Sequence, residues 1–327
     1  MDCFLNRAKQ TGIKFVILLS PNIKLDFSMR IFFLSILLSA TSVIAQPSDI
    51  DEEPPTYEES EFVNQFLSSE TLITEGWSEL AQPIFWKQVI TLSPDSCILN
   101  IAKTRTIIAK MSLADWNLQS DNEKTIFRDS VRTAYGLLKA DKIYVTSGKN
   151  DFYRFEEVYP SLAKGVEAFK QNGVDPWYAQ AILLIESPGQ LKKSRVGAYG
   201  PFQLMPSVAR AQGLTVNRSI DERKDFNRSA YGASQLIKKI CIPEAKKILN
   251  AKKISYNETD TWFRLFVLHV YHAGSMNVSA VINKINPTEG GQQLIQAMWQ
   301  NKAAQFGNNS QNYSQLALAS QLIAFEK

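Results

Sequence analysis

The stretch LLIESPGQLKKSRVGAYGPFQLMP, Leu183 to Pro206, decides how this chain is read. An apolar run ends in one carboxylate, Glu186, and the 34 residues after it contain no Asp or Glu. Upstream stands Asp175-Pro176, a good N-cap followed by a proline suited to the first helical turn. Pro188 disfavours helix at Ser187 and Gly189 follows, so the spacing predicts a helix from Pro176 to Glu186. Downstream, Gly197 and Gly200 bracket Ala198-Tyr199, and Phe202, Gln203, Met205 and Pro206 follow.

A lone acid at that position has a definite chemistry. Helical side chains lean over the preceding turn, which places the Glu186 carboxyl against Ile182 and Leu183. Burial there disfavours the anion, and the negative end of the helix adds a smaller push in the same direction. A carboxyl still protonated near neutrality is suited to general-acid work, such as protonating a glycosidic oxygen. Lys192, Lys193 and Arg195 would oppose the shift if they turned inward, and they are expected to face solvent. The glycines allow a backbone to approach a ligand closely. Gln203 offers the donor and acceptor that an acetamido sugar needs, while Tyr199 and Met205 suit sugar faces. The same residues are also compatible with a wet helix end, a plain loop and a core methionine.

Outward from this stretch the pattern is helical. SLAKGVEAFKQNG should end at Gly173. MPSVARAQG reads as a short helix, DFNRSAYGASQLIKKI as a longer one capped by Asp225 or Asn227, and ETDTWFRLFVLHVYHAG as an apolar one stopping at Gly274. Two more are expected within 291–304 and 310–325. Earlier, FVNQFLSSETLI and SCILNIAKTRTIIAKM suggest helices, as does NEKTIFRDSVRTAYGLL, with Ile126, Val131, Tyr135 and Leu138 at helical spacing. KIYVTSG reads as a short strand or a link.

The N-terminus has the form of an export signal. Met29-Arg30 precedes IFFLSILLSATSVIA, whose small residues before Ala45 suit cleavage there. Residues 1–45 are therefore read as leader, with Met29 as a candidate true start, and no membrane span is expected after cleavage. Residues 46–60 form a flexible acidic segment. From Gln46 to Trp86 there are ten acidic residues and no Lys or Arg, whereas Lys87 onward carries 31 basic and 20 acidic residues. A basic body suits an anionic polymer, an anionic lipid or nucleic acid, or is simply a mixed surface. After cleavage at Ala45 two cysteines remain, Cys97 and Cys241, which leaves open one disulfide or two buried thiols. Their spacing offers no metal site.

ES, SRVGAYGPFQLMP, AQGL and DERKDFNRSAYGASQLI together resemble the catalytic core of the soluble lytic transglycosylases, especially the membrane-bound D-type branch. Glu186 matches the family's acid/base. Ser194, Gly197, Ala198, Gly200, Gln203, Met205 and Pro206 match its cleft loop, and Asp221, Arg223 and Asp225 its D-x-R-x-D segment, taken here as structural. VYHAGSMNV resembles A-Y-N-A-G-P-G-x-V, which carries over Tyr271, Ala273 and Gly274. NSQNYSQLALAS places Tyr313 at the late cleft tyrosine. The departures are His272 for the family's asparagine, Ser275-Met276 for Pro-Gly, Asn309-Ser310 for Glu-Thr, and a gap from Glu186 to Gly197 one residue short.

The resemblance implies a lysozyme-like catalytic domain over 161–327; with the helical spacing upstream, which suggests a helical region over 61–160 packed on it, the fold expected is all-α. It implies cleavage of the bond between N-acetylmuramic acid and N-acetylglucosamine, with Glu186 as acid and then base for the muramoyl 6-hydroxyl, giving a 1,6-anhydro ring. Substrate contacts are expected from Ser194, Gly197, Tyr199, Gln203, Met205, Tyr271, His272 and Tyr313. His269, among apolar neighbours, reads as a core histidine. No cofactor or metal is needed. The expected partners are peptidoglycan strands, not nucleic acid, with an envelope protein as a further partner through 61–160. The expected location is the periplasm or cell envelope. Two other readings remain: a muramidase or chitinase-type hydrolase, for which Asp221, Glu222 or Asp225 would be the second carboxylate, and a non-catalytic wall-binding module.

Overall fold

The computed structural model describes residues 16–17, 69–186, 194 and 196–326. The remainder of the leader, the acidic segment 46–60, the helix-ending Ser187-Pro188 and the side chains of Lys192, Lys193 and Arg195 lie outside the described residues.

The chain is mostly helical, as expected, around one large apolar core. Its centre is α6 (Trp177–Glu186), buried at every position from Trp177 to Ile185. A helix apolar on all sides needs neighbours on all sides. They are α5 (Phe155–Gln171) and the long α13 (Asn308–Glu326). The start of α6 is fixed as the sequence predicts: Asp175 Oδ1 accepts from the Trp177 amide at 3.0 Å, and the carboxylate pairs with Arg264 at 2.7 Å. Packed on α5 is α8 (Phe226–Leu236), preceded by α7 (Pro206–Ala211) and joined to α9 (Ile242–Ala251) through a π-helical turn at Ile237–Cys241. Asp225 caps α8, accepting from the Arg228 amide at 2.7 Å. Then come α10 (Thr261–Ala273), α11 (Ser275–Ile285) and α12 (Gln292–Gln300). α11 had no counterpart in the sequence reading.

The preceding region holds a correction. SCILNIAKTRTIIAKM is not helical: it forms strands β2 (Ser96–Ile101) and β3 (Ile107–Ser112). With β1 (Val16–Ile17) and β4 (Ile143–Ser147) they make an antiparallel sheet in the order β1-β3-β2-β4. The alternation that marks a strand is hidden because β2 is buried on both faces. Cys97, Leu99 and Ile101 enter a second, smaller core, while Ile98 points into the main one. The small core is completed by α3 (Leu113–Leu118) and α4 (Asp121–Ala134), which contribute Trp116, Phe127 and Val131. The apolar stripe expected on α4 is also corrected: of its four members only Val131 is buried, and Ile126, Tyr135 and Leu138 are exposed. KIYVTSG is the strand β4. Before the sheet stand the short α1 (Glu70–Thr74) and α2 (Ala81–Thr91), the latter packed on α13.

Cys97 and Cys241 are free thiols, buried in different cores. Burial pushes the Cys97 thiol up to about 11 and raises that of Cys241 further. Among the described residues no helix is long and apolar enough to cross a membrane.

Candidate active site

Glu186 closes α6 and is half-buried. One side of the side chain remains open while protein packs around the rest. Desolvation pushes its carboxyl up to about 7, and the nearby phenol of Tyr313 acts in the opposite direction. Tyr313 is buried, and its hydroxyl makes no hydrogen bond of ordinary geometry with a described residue. Its effect on the acid is that of a hydroxyl donor placed close to the carboxylate. Tyr271 and Tyr153 also feel the Glu186 charge. Burial, with that charge second, raises both phenols above their usual range. Three buried tyrosines from distant parts of the chain thus feel the charge of one carboxyl.

Tyr271 comes from α10 and Tyr313 from α13, both anticipated. Tyr153, just before α5, was not. It belongs to the region without a motif, and nothing in its local spacing marks it. Only the antiparallel packing of α5 on α6, which brings the start of one helix to the end of the other, places it here.

His272 lies flat on Tyr313, with ring centroids 4.4 Å apart and planes 17° apart. Its outer face is open to solvent, and desolvation by the packing on its other side holds its imidazole below the ordinary histidine range. His269, one turn earlier, is fully buried, and desolvation pushes it down to about 3, leaving it neutral. Its Nε2 stands 2.8 Å from Ser314 Oγ, which accepts from Trp299 Nε1 at 2.7 Å. This is the core histidine expected from the sequence.

The glycine loop forms a tight hairpin. Tyr199 and Leu204 exchange backbone bonds of 3.1 Å in both directions around a turn closed by Gln203 N to Gly200 O at 3.0 Å. Gly200 has φ +83°, and a Cβ there would meet the Arg223 carbonyl oxygen at 1.9 Å. Only glycine fits. Gln203 itself sits at φ +46°, an unusual conformation for a side-chain-bearing residue. Its Nε2 donates to Gly200 O at 3.0 Å, bracing the turn. Ser194 closes the loop at its start, its Oγ accepting from the Ala198 amide at 2.9 Å.

Arg223 holds this loop from beneath. It is 2 % exposed. It donates to Gly197 O and Leu204 O, each at 2.8 Å, and to both oxygens of Asp221 at 2.8 and 2.7 Å. Those bonds hold the Asp221 carboxyl below the usual range. Glu222 is likewise committed, to Arg228 at 3.1 Å and to the Thr215 amide at 2.6 Å. Asp225 caps α8. The three carboxylates that remained as candidate partners for Glu186 all have structural work.

The predicted contact residues thus fall into two groups. Glu186, Tyr271, His272 and Tyr313 come together. Ser194, Gly197, Tyr199, Gln203 and Met205 shape the loop beside them, and the two groups are joined where Tyr271 Oη donates to Phe202 O at 2.6 Å. That bond makes Tyr271 a strut between the two groups. Met205 is exposed and faces no core. The Tyr199 ring lies under Arg223 and Lys224, with charge-to-centroid distances of 5.7 and 6.0 Å.

No curated protein matches this chain. Residues 166–290 match the family model described as transglycosylase SLT domain. That span takes in Glu186, the glycine loop, Asp221–Asp225 and Tyr271, while Tyr153 and Tyr313 fall on either side of it. Over that segment the chain is similar to the transglycosylase SLT domain family.

Proposed function

We propose that this chain is an exported peptidoglycan lytic transglycosylase in which Glu186 is the single acid and base. Members of the SLT family are lytic transglycosylases, and the family implies peptidoglycan as substrate. The observation that carries the finer reading is the Glu186 carboxyl pushed up to about 7, so that its acid and base forms are both populated near neutrality. Each half of the reaction needs one of them.

In the first half the protonated Glu186 gives its proton to the oxygen between N-acetylmuramic acid and N-acetylglucosamine. The C1–O bond breaks, and its electron pair leaves with the N-acetylglucosamine hydroxyl. In the second half the Glu186 carboxylate takes the proton of the muramoyl 6-hydroxyl as that oxygen bonds to C1. The ring closes as a 1,6-anhydro sugar and the acid is restored. No water is consumed and no second carboxylate is required, which agrees with the engagement of Asp221, Glu222 and Asp225 elsewhere. Most glycosidases need a pair. Burial raises the carboxyl toward the neutral form, the Tyr313 hydroxyl partly offsets that rise, and the braced loop offers backbone and Met205 to the sugar. Export rests on the Met29–Ala45 signal pattern.

Mass spectrometry of the muropeptides released by the pure protein tests the reading. Anhydro ends are expected. Reducing ends would mean a hydrolase, and peptidoglycan bound but uncut would mean a wall-binding module.

A further inference from the structure

Away from the cleft, where the sheet meets the helical body, lies a cavity of about 220 Å³. Lys103, Lys142 and Lys302 line it, and only Asp141 opposes them. None of the three lysines makes an ion pair with a described residue, whereas Asp141 already accepts from the Leu138 amide at 2.8 Å. Lys284 brings a fourth ammonium to the rim, donating to Lys302 O at 3.0 Å.

The ground beneath the cavity is positive as well. Arg105 is 4 % exposed and has no carboxylate among the described residues. Its guanidinium donates to Asn100 at 3.2 Å, to Asn308 at 3.2 Å and to Asn312 at 2.8 Å. It lies over the rings of Phe85, Trp86 and Tyr144 at 5.2, 5.7 and 5.7 Å. Asn308 and Tyr144 also line the cavity, so the buried charge stands directly behind its wall. A buried cation without an acid is unusual, because desolvation is normally offset by an opposite charge. α13 begins at the same place: Asn308 and Gln311 belong to its first turn, which holds no acid. The helix N-terminus adds to the same potential. Three sources of positive charge, opposed in the lining by Asp141 alone, converge on one concave site, where low-dielectric walls focus the field.

We propose that this cavity binds an anionic oxygen group, a carboxylate or a phosphate carried on a small polar molecule. The flexible ammonium groups close on its oxygens with charge-assisted hydrogen bonds, and Tyr144 and Trp299 flank whatever bears it. Every lining residue falls outside 166–290, so the site is no part of the matched family segment.

Titration of the ¹⁵N-labelled full chain with glycerol 3-phosphate and, separately, with N-acetyl-D-alanyl-D-alanine tests this. The amides of Lys103, Lys142, Asn308 and Gln311 should shift saturably with at least one probe, and the probe that binds more tightly identifies the source of the anion. In a variant carrying Lys103→Gln, Lys142→Gln and Lys302→Gln the affinity should fall at least about tenfold. All three side chains are at the surface, so the fold should stand, and Glu186-dependent turnover on peptidoglycan checks that it does. The proposal is overturned if neither probe saturates these amides in the wild-type chain. It is equally overturned if the triple variant binds as well as wild type, or if the shifts spread evenly over all exposed lysines.

Discussion

His272 is stacked on Tyr313, and Tyr313 in turn faces Glu186. The pair joins two helices that are far apart in sequence. Because the phenol lowers the Glu186 pKa, removing its hydroxyl should let desolvation act alone. Tyr313→Phe is therefore expected to move the alkaline limb of the pH–rate profile to higher pH. His272→Ala should leave that limb in place and raise KM. Profiles of the two variants on purified peptidoglycan separate the roles.

Glu186→Gln should lower turnover by about 10²- to 10⁴-fold, the range for loss of a positioned acid or base, while sedimentation with peptidoglycan still shows binding. Equal clearing of peptidoglycan by variant and wild type would remove the enzyme reading altogether.

The same substitution has a stability signature. Folding moves the carboxyl from the usual 4.5 up to about 7. Between those values the folded state binds more protons than the unfolded one, so stability falls as pH rises through the window. The penalty is absent below about pH 4.5 and complete above about pH 7, at up to about 3 kcal/mol. Glu186→Gln should therefore raise Tm at pH 8 and leave it nearly unchanged at pH 4. A Tm gain independent of pH would contradict the buried acid.

Arg223 and Gly200 lock together. Arg223→Lys keeps the charge but loses the fork that reaches Asp221, Gly197 O and Leu204 O together. A loss of about 3 kcal/mol is expected from breaking a buried pair, read by urea denaturation. Gly200→Ala should cost a similar amount, since the new Cβ falls on the Arg223 carbonyl. Gly197→Ala, at φ +95° with nothing within 4 Å of the new atom, meets backbone strain alone, about 1 kcal/mol. The ordering of the two glycine variants is the check.

The free thiols make a simpler case. Reductant should not change Tm, and Ellman titration should find Cys97 and Cys241 only after denaturation. A Tm drop in reductant would reveal a bridge.

The sequence yields the helical body readily because its signals are local: Asp175 at a cap, Gly173 and Gly274 at stops, Asp225 before α8. The acid and its loop were legible for the same reason, since Glu186 and the glycines lie within one short stretch. The sheet was not. β2 is buried on both faces, so its apolar run carries no alternation, and a continuous apolar run fits helix and strand alike. On α4 the true inward pair is Phe127 and Val131, and neighbouring Ile126 lent a false phase to the stripe. Tyr153 was out of reach because its place beside Glu186 is set by how α5 meets α6.

Arg105 sits in the hairpin turn between β2 and β3, yet it grips Asn312, the residue immediately before Tyr313. The small β unit is thus tied to α13 by this guanidinium, in addition to Ile98 packed in the main core. Loosening the hairpin would release Asn312, the neighbour in α13 of the ring that faces the proton donor.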